Sequence, residues 1–176
     1  MITTESTDME KILYHVKLNK DICRTVGSFY EQAAMDGCNI KTFSDRYLES
    51  KFCRNRMECE YSSFWREDAL TCLEFIYPEI GFPESIPNNK DKNIVFDPDV
   101  AYWIGYTYYQ LYCETGIHGN ILKEKVPFDK LILNYEAHHT LDEYYSTDKL
   151  CSYYGLHKNS LYRRYIDYLD TEFSVL

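Results

Sequence analysis

Apolar residues recur along the chain at spacings of three and four, the signature of helices that bury one face. Thr7 followed by Glu10 fits a capping box, and Ile12, Leu13, His15 and Val16 begin a stripe that continues through Ile22, Val26, Phe29, Tyr30 and Ala33. The pattern predicts a first helix with a break near Asn19 and a stop at Gly37. A second helix is expected from Phe43 to Phe52. A third is expected from about Ser62 to Tyr77, carried by Phe64, Trp65, Leu70, Leu73 and Phe75 and ended by Pro78.

Residues 81–97 combine two prolines and a glycine with a polar centre and read as a loop or hinge. Asp97-Pro98-Asp99 then reads as a helix start: an N-cap carboxylate, a proline at the first helical position and a second acid on the positive end of the helix dipole. The aromatic helix that follows ends at Thr115-Gly116. Shorter helices are expected at Asn120 to Val126, Phe128 to about His138, 147–154 and 158–170. No segment alternates as a strand does, and no internal repeat is present. The expected fold is all-α: one compact domain over 1–176, about seven helices with the aromatic one at the centre.

Composition narrows the class. At 176 residues, 45% of them hydrophobic, the chain has enough apolar surface for a true core, which excludes global disorder. The 18 tyrosines stand out, because each has a large apolar body and one polar tip that suit half-buried positions and interfaces. A net charge of −9 disfavours general nucleic-acid binding and favours a basic partner. The seven cysteines are odd in number and scattered, with no C-x-x-C, so they read as reduced thiols within apolar segments. Met1 to Lys11 is polar and acidic rather than leader-like, and no apolar run is long enough to span a membrane. The expected location is cytoplasmic.

No catalytic constellation emerges. The glycines are isolated, without a phosphate-cradling loop. His138 and His139 are adjacent, so on a helix they diverge, and a metal site would need His118 or Asp142 folded onto them. A Cys113/His139 nucleophile pair has nothing in the sequence to bring it together. Neither enzyme activity nor a cofactor or metal is expected. In the aromatic helix, Tyr102, Trp103, Tyr106, Tyr109 and Tyr112, with Ile104, Tyr108 and Leu111, leave almost no polar face. Such a helix is either central core or covered by a partner.

One C-terminal pattern has the spacing of a helix-turn-helix. Within 147–165, Cys151 stands four residues before Gly155, Leu156 follows it, and Leu161 stands six after it. The groove-facing candidates for DNA are His157, Lys158, Asn159, Ser160, Arg163 and Arg164. Arg164 falls where the motif usually buries an aliphatic residue.

The second half also carries spaced motifs. Tyr102-Trp103-Ile104-Gly105-Tyr106, then Thr115-Gly116, then Asn134-Tyr135 and His139-Thr140-Leu141-Asp142 resemble an uncharacterised family of small bacterial proteins. Members read roughly D-P-E-x-x-Y-W-I-G-Y, T-G-E-S-S and N-Y-x-x-x-H-T-L-D, and the likeness covers about 97–142. Where they have T-G-E-S-S this chain has Thr115-Gly116-Ile117-His118-Gly119. The resemblance implies encoding near a toxin-like ADP-ribosyltransferase domain, and hence an antitoxin or accessory role. With the acidic balance and the tyrosine excess, the leading expectation is a non-catalytic antitoxin or immunity partner of a co-encoded toxin. Tyr102, Trp103, Tyr106, Tyr109, Asn134, Tyr135 and His139 are then the expected partner-binding residues. The alternative is a DNA-binding regulator acting through 157–164.

Overall fold

The computed structural model describes residues 4–86 and 97–159. Among them the fold is all-α. Its helices are α1 (Thr4–Met35), α2 (Ile40–Glu49), α3 (Ala69–Ile80), α4 (Pro98–Thr115), α5 (Gly119–Lys125), α6 (Phe128–Leu131), α7 (Tyr135–His138) and α8 (Glu143–Tyr154).

The helix ends show which local signals prevail. α1 starts at Thr4, ahead of the expected cap at Thr7, and continues through Asn19 without a break. Gly37 stops it as expected: its φ of 86° lets Cys38 N–H reach Ala33 O at 3.0 Å and Gly37 N–H reach Ala34 O at 3.0 Å. α2 begins three residues earlier than expected because the Asn39 side chain caps Thr42 N at 3.1 Å. Past α2 the chain makes a π-helical turn over Cys53–Met57.

The helix expected from Ser62 is split. Ser63–Arg66 forms a separate 3-10 turn, and Asp68 then caps α3 through Thr71 N at 2.9 Å. Pro78 lies inside α3 instead of ending it. A proline there forfeits one N–H, while burial of Tyr77 and Ile80 holds the last turn in place until Gly81. Similarly, the helix expected over Phe128 to His138 is broken into α6, a 3-10 turn at Ile132–Asn134, and α7.

The most extensive packing is α1 against α4. Two glycines permit it: a Cβ at Gly105 would sit 2.6 Å from the Tyr30 ring, and one at Gly27 would sit 2.8 Å from the Tyr102 ring. Each helix thus seats a tyrosine over a glycine of the other. Around Tyr30 lies a sealed aromatic cluster, with ring centroids 5.1 Å from Phe43 and 5.5 Å from Tyr47, both nearly edge-on.

α4 opens as the sequence predicts, with Asp97 accepting from Asp99 N at 2.9 Å, and closes at Gly116 with φ 70°. It is core on one side only. Ile104, Tyr108 and Leu111 are buried, whereas Tyr102, Trp103 and Tyr106 are half-buried and face α7 and α8. The core reading of the aromatic helix therefore holds for the Ile104, Tyr108 and Leu111 face, while the Tyr102, Trp103 and Tyr106 face is left partly open. All seven cysteines are free thiols; Cys59 and Cys113 are half-buried and the other five buried. Among the described residues, no helix is long and apolar enough to cross a membrane.

Candidate functional site

The half-buried face of α4 forms one wall of a groove of about 390 Å³. Tyr102, Trp103 and Tyr106 come from α4, Tyr135 and His138 from α7, and Glu143 and Ser146 from the first turns of α8. His139 and Leu141 contribute from the turn between α7 and α8. Asp142 aims that turn by capping α8, accepting from Tyr144 N at 3.0 Å and Tyr145 N at 3.2 Å.

The rings form a connected lining. Trp103 meets Tyr135 edge-on at 5.6 Å, and His139 stacks on Tyr135 at 4.4 Å with planes 17° apart. The His139 Nδ1 lies 2.8 Å from its own helix's Tyr135 O, which holds the imidazole flat against the phenol. Tyr102 and Tyr106 lie side by side with centroids 6.0 Å apart.

The polar groups divide into engaged and open. Glu143 is satisfied twice: Lys20 Nζ lies 2.6 Å from one carboxylate oxygen and the Tyr106 hydroxyl donates to the other at 3.0 Å. Burial, with the charge of Glu143 nearby, pushes the Tyr106 hydroxyl far above the usual phenol range, so it stays a donor. His138 Nδ1 lies 2.9 Å from Ser146 Oγ, and burial, with Lys149 nearby, lowers its basicity. The exposed Asp99 carboxylate at the α4 end has no ion-pair partner among the described residues.

Five of the seven expected partner-binding residues line this groove: Tyr102, Trp103, Tyr106, Tyr135 and His139. Tyr109 does not. It is buried and donates to Met57 O at 2.9 Å, a carbonyl at the end of the π turn that also accepts from Trp65 Nε1 at 3.1 Å. Asn134 points instead to α8, where its Oδ1 lies 3.4 Å from the Tyr154 hydroxyl. The sequence reading missed Asp99 and Glu143 as groove residues, and nothing in the sequence pairs Lys20 with residue 143.

The metal and nucleophile candidates disperse. His118 is taken up by Glu58, whose buried carboxylate lies 2.7 Å from His118 Nδ1 and accepts Gly119 N–H at 2.8 Å. Cys113 lines a separate hollow with His15, Asn19 and Tyr112, away from His139. Among the described residues no cluster of three or more histidines, cysteines and acids could hold a metal.

The helix-turn-helix pattern is described only in its first part. α8 begins at Glu143, four residues before the expected 147, and ends at Gly155 in the left-handed conformation, with Cys151 and Leu156 buried. Lys158 pairs with Asp148, and Asn159 N–H donates to Glu114 O at 2.5 Å. Ser160, Arg163 and Arg164 lie outside the described residues.

No protein-family model, curated protein or solved structure matches this chain.

Proposed function

We propose that the chain is a non-catalytic binding protein, an antitoxin or immunity-type partner that neutralises a co-encoded toxin by direct contact through the aromatic groove. One observation carries the proposal. The Y-W-I-G-Y, N-Y and H-T-L-D segments, which bear the resemblance, are separated in sequence yet supply Tyr102, Trp103, Tyr106, Tyr135, His139 and Leu141 to a single cavity. Half-buried tyrosine and tryptophan on rigid helices are what a protein contact uses as anchors. The acidic balance of the chain suits a basic partner.

The test is growth rescue. The protein encoded beside this chain is expressed alone, with the wild type, and with the Trp103→Ala/Tyr135→Ala variant. Toxicity that the wild type relieves and the variant does not supports the proposal. A harmless neighbour, or rescue that ignores the groove, sinks it.

The left-handed turn at Gly155, with Cys151 and Leu156 packed inward, favours a second proposal, a DNA-binding regulator. Its check is a gel shift with the upstream region of its own gene. Binding lost in Arg163→Ala/Arg164→Ala would support it, and no shift at low salt would remove it.

A further inference from the structure

We infer that the groove takes an arginine side chain from a basic segment of the partner protein, an assignment that rests on the groove being the partner-binding site. The lining decides the sign of the ligand. Its open acid is Asp99, with Asp97 one turn-position away at the cap of α4. Among the described residues the nearby cations are engaged: Lys20 holds Glu143, Arg24 beside Tyr102 pairs with Asp21 at 3.6 Å, and Lys149 lies 4.8 Å over the Tyr145 ring. A phosphate or carboxylate entering here would meet acids with, among the described residues, no unengaged lysine to receive it. A cation would meet the faces and edges of Tyr102, Trp103 and Tyr135 with a carboxylate at the rim, an arrangement that attracts positive charge through the ring quadrupoles.

The shape decides the kind of cation. Guanidinium is planar and weakly hydrated, so it stacks on a ring while its edge N–H groups reach a carboxylate; a lysine ammonium is compact and surrenders its water less readily. Trp103 and Tyr135 stand nearly perpendicular at 76° in the lining, and Asp99, one helical turn before Trp103, acts on Tyr135, so ring and carboxylate are both near enough for one planar cation. Glu143, already bound by Lys20 and Tyr106, fixes the floor and does not need the ligand's charge.

The experiment uses the full chain and N-acetyl-arginine amide as the probe, with the citrulline and lysine counterparts as comparisons. Indole N–H signals of Trp103 and Trp65 are followed by NMR, assigned through Trp103→Phe. The expected result is a saturable shift at Trp103 with Trp65 unmoved, weaker for lysine and absent for citrulline. Asp99→Asn weakens the arginine response about fivefold, and added salt weakens it further. Equal response to citrulline, no saturable shift short of the probe's solubility, or an Asp99→Asn variant that binds as well as wild type overturns the assignment. The two levels separate cleanly. Toxin rescue that depends on Trp103 while the arginine probe is ignored leaves the partner site standing and removes the arginine. Probe binding with rescue indifferent to the groove leaves arginine recognition and removes the toxin contact.

Discussion

Two aromatic clusters meet at the α1–α4 contact and differ in how far they are covered. In the first, Tyr30, Phe43 and Tyr47 are at most 1% exposed and their rings close on one another. In the second, Tyr102, Trp103, Tyr106 and Tyr135 are half-buried and their rings line a cavity. The clusters share an interface, since Tyr30 sits over Gly105 and Tyr102 over Gly27. The same residue type serves as filling where neighbours cover every ring face, and as a lining where one face is left open. Tyrosine content alone does not separate the two roles.

The largest expected effect is in the sealed cluster. Phe43→Ala removes a fully buried ring and should cost about 3–5 kcal/mol, seen as a fall in Tm on the order of 10 °C. Trp103→Ala, at a half-buried position, should cost roughly 1–2 kcal/mol of stability while weakening the proposed partner contact about tenfold or more. If the two variants lose equal stability in thermal unfolding, the distinction between filling and lining collapses.

Gly105→Ala tests the shared interface. The new methyl would press on the Tyr30 ring at 2.6 Å, and overpacking of that kind costs about 1–3 kcal/mol, only partly offset by the better helix propensity of alanine. Urea unfolding should show the loss; an unchanged midpoint would mean the helices separate freely there.

Tyr47→Phe probes the sealed side more finely. The Tyr47 hydroxyl is buried with only the Cys53 thiol, a weak hydrogen-bonding group, beside it, whereas the Tyr30 hydroxyl lies 3.0 Å from Ser44 Oγ. Deleting the first should be neutral or stabilising by up to about 1 kcal/mol, and deleting the second should destabilise by about 1 kcal/mol. A Tyr47→Phe protein clearly weaker in chemical denaturation would mean that the Cys53 thiol satisfies that hydroxyl.

The smallest effect is one of pH and belongs to the open side. Burial, with Lys149 nearby, places His138 below the usual imidazole value, so the unfolded chain takes up that proton at higher pH than the folded one. Stability should therefore decline slightly as pH falls through the ordinary imidazole range toward the folded value. His138→Gln should flatten that slope, and an NMR titration should place the His138 midpoint below the model imidazole. A midpoint above it would contradict burial and Lys149 as the dominant influences on His138.

The parts of this fold that were legible in the sequence are those fixed by neighbours along the chain. Asp97-Pro98 and Gly116 bound α4, and Gly37 ends α1, because capping and left-handed turns are decided within a few residues. Where packing enters, the pattern misleads. Asp68 caps a new helix inside what reads as one run, and Pro78 is carried through because Tyr77 and Ile80 are buried around it. Tyr109 is the clearest case within the site. It stands seven residues after Tyr102, so the two leave α4 in nearly the same direction. Yet Tyr102 meets the groove while Tyr109 meets the Met57 carbonyl, because different elements cover successive turns of the helix. Periodicity gives the direction of a side chain but not what stands opposite it. For the same reason Lys20 and Glu143, 2.6 Å apart across the fold, left no trace in the sequence.

The most direct measurement is calorimetric titration of the purified chain with the protein encoded beside it, wild type against Trp103→Ala, with unfolding curves confirming that both are folded. A groove that forms the contact predicts at least a tenfold weaker Kd for the variant, about 1.4 kcal/mol of binding free energy. Equal affinity for both proteins, or no binding by the wild type, would contradict it.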